Sequence, residues 1–172
     1  HTIPKDFSPA SDVANLSILG YDPLKYYSGR GPLEAANMGI ALGPDDIAFR
    51  CNVVTVDQEK MVDYSAGHIS SEEAATLIKF LDKNLGSDKA RFYPGVSYRH
   101  LMVVRDKPLR EALLKIKCFP PHDIMGSRIK EHLPNGEGAE FLIKLMEDSR
   151  LLLAGHEINR GRIDLRENPA NM

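Results

Sequence analysis

"DIAFRCNVVTVDQEKMVDYSAG", residues 46–67, decides the fold class. Ile47, Phe49, Cys51 and Val53 point one way and Arg50 and Asn52 the other, with β-branched residues dense around them. Period two of this kind predicts a half-buried strand over 46–57. The charged "DQEK" is its turn and "KMVDYSAG" its antiparallel return. A second pair follows in "ARFYPGVSY" and "RHLMVVRD", with Pro94-Gly95 as a bulge or turn. Proline has no N–H for a ladder, which places its strand near a sheet edge.

Around these strands the period changes to that of helices. "SDVANLSIL", residues 11–19, brings Val13, Leu16 and Leu19 onto one side, with Ser11 in the N-cap position, Asp12 in the first turn and Gly20 as the stop. "PLEAANMGIAL" predicts a short helix opened by Pro32. In "SSEEAATLIKFLDKNLG", residues 70–86, Ala74, Leu77, Ile78, Leu81 and Leu85 form one stripe, with acids in the first turn and Gly86 closing. "PLREALLKIK" reads as a short helix or an irregular link. "FPPHDIMGSRIKEHLPNGEG" is a long loop, of the kind that is commonly functional. "AEFLIKLMEDSRLLLAGHEINRGR" predicts one long helix with Phe141, Leu142, Leu145, Leu152 and Leu153 inward, and "IDLRENPANM" has no period. Strands and helices mix without strict βαβ alternation. The expectation is α+β: a mostly antiparallel sheet with helices packed on one face.

The chain has 172 residues, 42% of them hydrophobic, enough for a sizeable core. A net charge of −2 supplies no global basic field, so neither nucleic acid nor an anionic membrane is an expected partner. No apolar run reaches the ~18 residues of a membrane span, and no signal peptide is visible. Cys51 and Cys118 are too few for a disulfide framework and read as reduced core thiols, which suits a cytoplasmic protein. A start at His1 inside a loop and a stop at "ENPANM" suggest a piece of a longer chain.

Ser11 reads two ways: as an N-cap, or as a nucleophile held where N–H groups and the helix dipole receive a phosphate. Arg30 lies in a Gly-flanked loop, Arg50 on the polar side of a strand, Arg99 at a strand start, and Arg160 and Arg162 beyond the long helix. Guanidinium forks suit carboxylate and phosphate, although a single surface arginine is usually solvated or ion-paired. His122-Asp123, beside Pro120-Pro121, is either a turn or an acid/base pair. No HxxxH, HExxH or DxD motif, no P-loop and no GxGxxG occurs.

"SDVANLSILGYDPLKYYSGRGPLEA", "DIAFRCNVVTV", "DYSAGHIS", "YRHLMVV", "PPHDIMG" and "GHEINRGRIDLRENPAN" stand in the order found in archaeal-type 2,3-bisphosphoglycerate-independent phosphoglycerate mutases. The chain resembles that family, of the alkaline phosphatase superfamily, over nearly its whole length. One bacterial branch of it carries the label "proposed homoserine kinase". Ala10-Ser11-Asp12 stands where the family has Gly-Ser-Asp, and Pro120 where its His-Asp segment has Asp.

The resemblance implies a metal-dependent phosphoryl-transfer enzyme that interconverts 3- and 2-phosphoglycerate through a phosphoserine. It implies two divalent metals, Mn²⁺ or Mg²⁺, in the full-length enzyme and none in this piece, because ligands other than Ser11 are expected outside the chain. Residues 1–22 and 159–172 would then belong to the parent domain, and 23–158 would be an inserted cap closing over the substrate. Ser11 would be the nucleophile and a metal contact. Arg50, Arg99, Arg160 and Arg162, with Arg30, Asn159, His122 and Asp123, would bind substrate. The partners would be a small phosphorylated metabolite and the missing metal-binding domain, and the piece alone would be inactive. The alternatives are another small metabolite such as homoserine, or a non-catalytic anion-binding module.

Overall fold

The computed structural model describes residues 11–27 and 29–172. They form an α+β fold of seven α-helices, a three-stranded antiparallel sheet and a two-stranded hairpin. In the sheet, β1 (Ile47–Asn52) and β4 (Ala90–Val96) flank β5 (Arg99–Val104). Phe49 pairs with Met102 and Arg50 with Leu101, so the period of two in "IAFRCN" fixes which side chains share a face. Ile47, Phe49 and Cys51 join Met102 and Val104 on one face, while Ala48 joins Leu101 and Val103 on the other. The register slips between Tyr93 and Val96, which is the bulge expected at Pro94-Gly95, on an edge strand as proline requires.

The strand expected over 46–57 is two strands. At Val53 the backbone turns its N–H to Tyr98 O, and Val54 N–H goes to Met172 O. The chain thereby leaves the sheet and enters a separate hairpin, β2 (Thr55–Asp57) with β3 (Lys60–Asp63). The "IDLRENPANM" tail supplies the missing partners. Thr55 Oγ1 donates to Pro169 O at 2.8 Å, and Asn171 accepts from Val56 N–H and donates to Val56 O at 2.8 and 2.9 Å.

Helix α4 (Ser71–Leu85) starts as its sequence demands. Ser70 Oγ accepts Glu73 N–H, and Glu73 takes Ser70 N–H in return. Its stripe of Ala74, Leu77, Ile78 and Leu81 is buried against Val53, Phe92 and Leu153. The helix expected to run from 139 to 162 is broken: α6 (Ala139–Ala154) ends at Gly155, and His156, in extended conformation, caps α7 (Glu157–Asp164) by accepting Ile158 N–H at 3.2 Å. The cap at His156 outcompetes continuation of the helix. The "PLREALLKIK" segment, residues 108–117, is largely the helix α5 (Lys107–Leu113), which starts one residue earlier, and the long loop holds two short 3-10 turns at Pro121–Ile124 and Ile129–His132.

Helices α4 and α6 lie on one face of the sheet as expected, and a short helix also covers the other. After α1 (Ser11–Ile18) and a one-turn α2 (Pro23–Tyr26), α3 (Arg30–Asn37) begins two residues before the expected Pro32 and lies on β1. Its Ala35 is sealed against Leu101 and Val103. Gly31 makes this possible, because a Cβ there would stand 1.8 Å from Ala48 O. The cysteines are unpaired: Cys51 is half-buried, and Cys118 is exposed rather than a core thiol. Both border an apolar cavity of about 230 Å³, and burial pushes the Cys51 thiol up to about 12. No described helix is long and apolar enough to cross a membrane.

Candidate anion-binding cleft

A cleft of about 280 Å³ opens where α1, α3 and the sheet meet. Arg30, Arg50 and Arg99 line it, together with Asp12, Asn15 and Glu34. Each arginine arrives by a different route. Arg30 is the first residue of α3, seated over β1 by the close approach at Gly31. Arg50 and Arg99 stand on neighbouring strands, opposite Leu101 and Asn52 respectively, and so share one face as diagonal neighbours. The turn ahead of Arg99 is tied down, with Ser97 N–H donating to Ser71 Oγ at 2.9 Å and Ser97 Oγ to Ile69 O at 2.7 Å. Ser97 itself has φ of 51°. The Arg99 guanidinium lies over the Tyr98 ring, 5.6 Å from its centroid.

Three guanidiniums against the carboxylates of Asp12 and Glu34 leave the cleft one positive charge in surplus. Glu34 is a loose partner, 3.9 Å from Arg50. Burial lowers the Arg50 pKa, and the charges of Arg30 and Arg99 lower it further against the opposing pull of Glu34. An anion placed among the three would relieve that repulsion.

Asp12 is gripped from the opposite wall. Tyr27 Oη donates to Asp12 Oδ2 at 2.7 Å and Arg30 Nε to the same oxygen at 3.2 Å. Burial would raise the Asp12 carboxyl, but the Tyr27 bond, the Arg30 charge and the nearby N–H groups of Val13 and Asp12 hold it below its ordinary value. Burial and the Asp12 carboxylate push the Tyr27 phenol up to about 12.

The other expected site residues are placed differently. Ser11 opens α1, next to Asp12, and its side chain lies outside the described residues, as does Ala10. His122 is exposed and pairs with Asp123, Nε2 to Oδ1 at 3.4 Å. Ring contacts lead from it toward the cleft: His122 to Tyr64 at 6.3 Å, and Tyr64 to Tyr98 at 5.6 Å. Arg160 is exposed on α7.

Asn159 and Arg162 are not brought to the cleft, because their polar atoms are used inside the fold. Asn159 Nδ2 donates to Leu153 O and Ala170 O at 2.9 and 2.8 Å, and its Oδ1 accepts Ala170 N–H at 2.8 Å. Arg162 donates to Asn168 O, to Ala66 O and to Glu73, and pairs with Glu167 at 3.1 Å. That network steadies the 63–70 loop, in which Ala66, Gly67 and His68 all have positive φ. Asp63 holds the same loop through Ser65, Gly67 and Asn168. Burial opposes ionisation there, yet these donors bring its carboxyl down to about 2.

Asn15, Tyr27 and Glu34 were missed by sequence reasoning, and Asp12 was read only as a helix-start acid. The contacts of Asp12 with Tyr27 and Arg30 span 15 and 18 residues, and Glu34 pairs with Arg50 on another element, so no local spacing signals them. Among the described residues no group of three or more His, Cys, Asp or Glu is arranged to hold a metal. The described residues therefore do not fit a metal centre by themselves.

A family description, 2,3-bisphosphoglycerate-independent phosphoglycerate mutase, matches residues 1–159. A relative of that name from Methanosarcina barkeri is 54% identical over 170 residues, which is 99% of this chain and 42% of the relative. A Geobacter sulfurreducens protein named as a probable mutase of the same kind is 50% identical, again over 99% of this chain and 42% of its own length. The solved cofactor-independent phosphoglycerate mutase of Thermoplasma acidophilum superposes with a TM-score of 0.69 at 28% identity, over 95% of this chain and 44% of that one. A Pyrococcus horikoshii protein at 24% identity shares the fold, with a TM-score of 0.65. The chain thus spans about 42% of the length of the curated relatives it matches. It belongs to the 2,3-bisphosphoglycerate-independent phosphoglycerate mutase family.

Proposed function

We propose that the intact protein interconverts 3-phosphoglycerate and 2-phosphoglycerate, and that this chain supplies the nucleophile and the anion-holding cleft. The observation that carries the reading is the convergence of Arg30, Arg50 and Arg99 on one cleft walled by the helix that Ser11 opens. The names of the relatives supply the substrate. The arginines hold carboxylate and phosphate so that the reacting atoms meet without a search. Ser11 Oγ attacks phosphorus, the bond to O3 of glycerate breaks, and a phosphoserine forms. Glycerate then turns, O2 attacks the same phosphorus, and Ser11 is released. The segment 23–158 would close over the substrate as a cap, with 1–22 and 159–172 continuing into the parent domain. The divalent metals of the family would be held by residues beyond this chain, with Ser11 as its own contribution, and the chain alone would be inactive.

The test is ³¹P NMR of the intact protein with 3-phosphoglycerate. Appearance of 2-phosphoglycerate, its abolition in Ser11→Ala and a fall of about 10- to 100-fold in kcat/KM for Arg50→Met support the reading. That range corresponds to the ~1.5–3 kcal/mol of one charge-assisted hydrogen bond. Turnover of homoserine with ATP, and none of phosphoglycerate, would move the protein to the related branch. Turnover that survives Ser11→Ala would leave a non-catalytic anion-binding role for this chain.

A further inference from the structure

We propose that Asp12 is a positioning residue: with Tyr27 it aims Arg30 into the cleft and ties the start of α1 to α3. The inference rests on the anion-cleft reading and adds to it. At first sight a carboxylate has no place among arginines that are to hold an anion, since it repels the ligand and neutralises a cation.

The geometry gives it another use. Arg30 reaches Asp12 through Nε alone, at 3.2 Å. A guanidinium has five N–H donors, four of them on its two terminal nitrogens, and Arg30 shares these between the Tyr27 phenol and the cleft. Held at Nε by Asp12, the Arg30 side chain lines the cleft with Arg50 and Arg99. Free, a side chain at the first position of a helix spreads over many rotamers at a cost of up to ~2 kcal/mol when it is later fixed. Asp12 meets that cost before the ligand arrives.

Asp12 is itself held firmly enough to aim another group. Its side chain is 17% exposed against 38% for Arg30, and the Tyr27 hydroxyl bonds the same Oδ2 at 2.7 Å. Among the described residues Oδ1 has no hydrogen-bond partner, so the grip runs through Oδ2. Tyr27 is fixed in turn by α2: its N–H bonds Pro23 O, and Asp22 caps that turn through Leu24 N–H. The start of α1, the end of α2 and the start of α3 therefore meet at one oxygen.

The experiment measures binding of inorganic phosphate to the intact protein by calorimetry, since phosphate reports on the cleft whether or not the protein turns over phosphoglycerate. Wild type is compared with Asp12→Asn, Tyr27→Phe, Arg30→Met and the double variant Asp12→Asn/Arg30→Met. If Asp12 only repels anions, Asp12→Asn binds phosphate more tightly. The proposal expects the opposite sign: about 3- to 10-fold weaker binding in Asp12→Asn and a smaller loss in Tyr27→Phe. It also expects no more than a twofold further loss when Asp12→Asn is added to Arg30→Met. Tighter binding by Asp12→Asn, or its full cost persisting without Arg30, overturns the proposal and leaves the cleft reading standing. Absence of phosphate binding by wild type removes both. Should Asp12→Asn fail to fold, Tyr27→Phe with and without Arg30→Met carries the same comparison.

Discussion

Replacing Gly31 by alanine sets two effects of opposite sign against each other. Gly31 is the second residue of α3, where alanine is the better helix former by about 1 kcal/mol, so propensity alone predicts a more stable protein. The structure predicts the reverse. The new Cβ would lie 1.8 Å from Ala48 O and 2.5 Å from Ala48 C. That is roughly 1.5 Å short of van der Waals contact, against strand backbone that cannot step aside as a flexible side chain can. Helix α3 must lift from β1, opening the packing of Ala35 on Leu101 and Val103. Overpacking of this kind costs ~1–3 kcal/mol, and loosened contacts add to it. The net expectation is a loss of about 1–3 kcal/mol by urea unfolding, or a fall in Tm of about 2–10 °C for a chain of this size. Ala36→Gly, at an exposed position of the same helix, measures the propensity effect alone. Arg30 leads the displaced helix, so phosphate affinity should fall as well. A Gly31→Ala protein as stable as wild type, or more so, would refute the close approach and the placement of Arg30 built on it.

Other outcomes follow from the same geometry. His100 is 2% exposed, its Nδ1 accepts Gly95 N–H at 3.1 Å, and burial lowers its pKa to about 4. The unfolded chain takes up this proton below about pH 6.5 while the native state refuses it until about pH 4. Stability should therefore be complete above pH 6.5 and drop by about 2 kcal/mol by pH 5, a slope that His100→Leu flattens; urea curves at pH 7.5 and 5 decide this. Arg162→Met strips partners from the carbonyls of Ala66 and Asn168 and from Glu73. It should cost about 2–4 kcal/mol in thermal unfolding, and a loss under about 0.5 kcal/mol would show that the network is not a support.

Period and punctuation made much of the fold legible. Helix α4 was legible because its stripe, its first-turn acids and its closing glycine are all local signals that agree. The β4–β5 hairpin and its bulge were visible for the same reason. The break between α6 and α7 was not, since an apolar period continues through Gly155-His156 and the cap forms only in the folded turn. Within the cleft, Arg50 announced itself as a charge in an apolar strand. Asp12, Tyr27 and Glu34 did not, being common residues whose roles come from distant partners.

By itself, then, the sequence determined the α+β class, the strand faces that put Arg50 on the polar side, and the family. Those properties depend on short-range alternation, on caps and on ordered motifs. Only the tertiary structure decided which charges serve the cleft and which serve the fold. Arg30, Arg50 and Arg99 meet because Gly31 lets a helix touch a strand and because β1 pairs with β5, whereas Arg162 is drawn inward by carbonyls contributed by two loops. A guanidinium has the same donors in either setting, and what it binds is set by which acceptors long-range packing brings within about 3 Å.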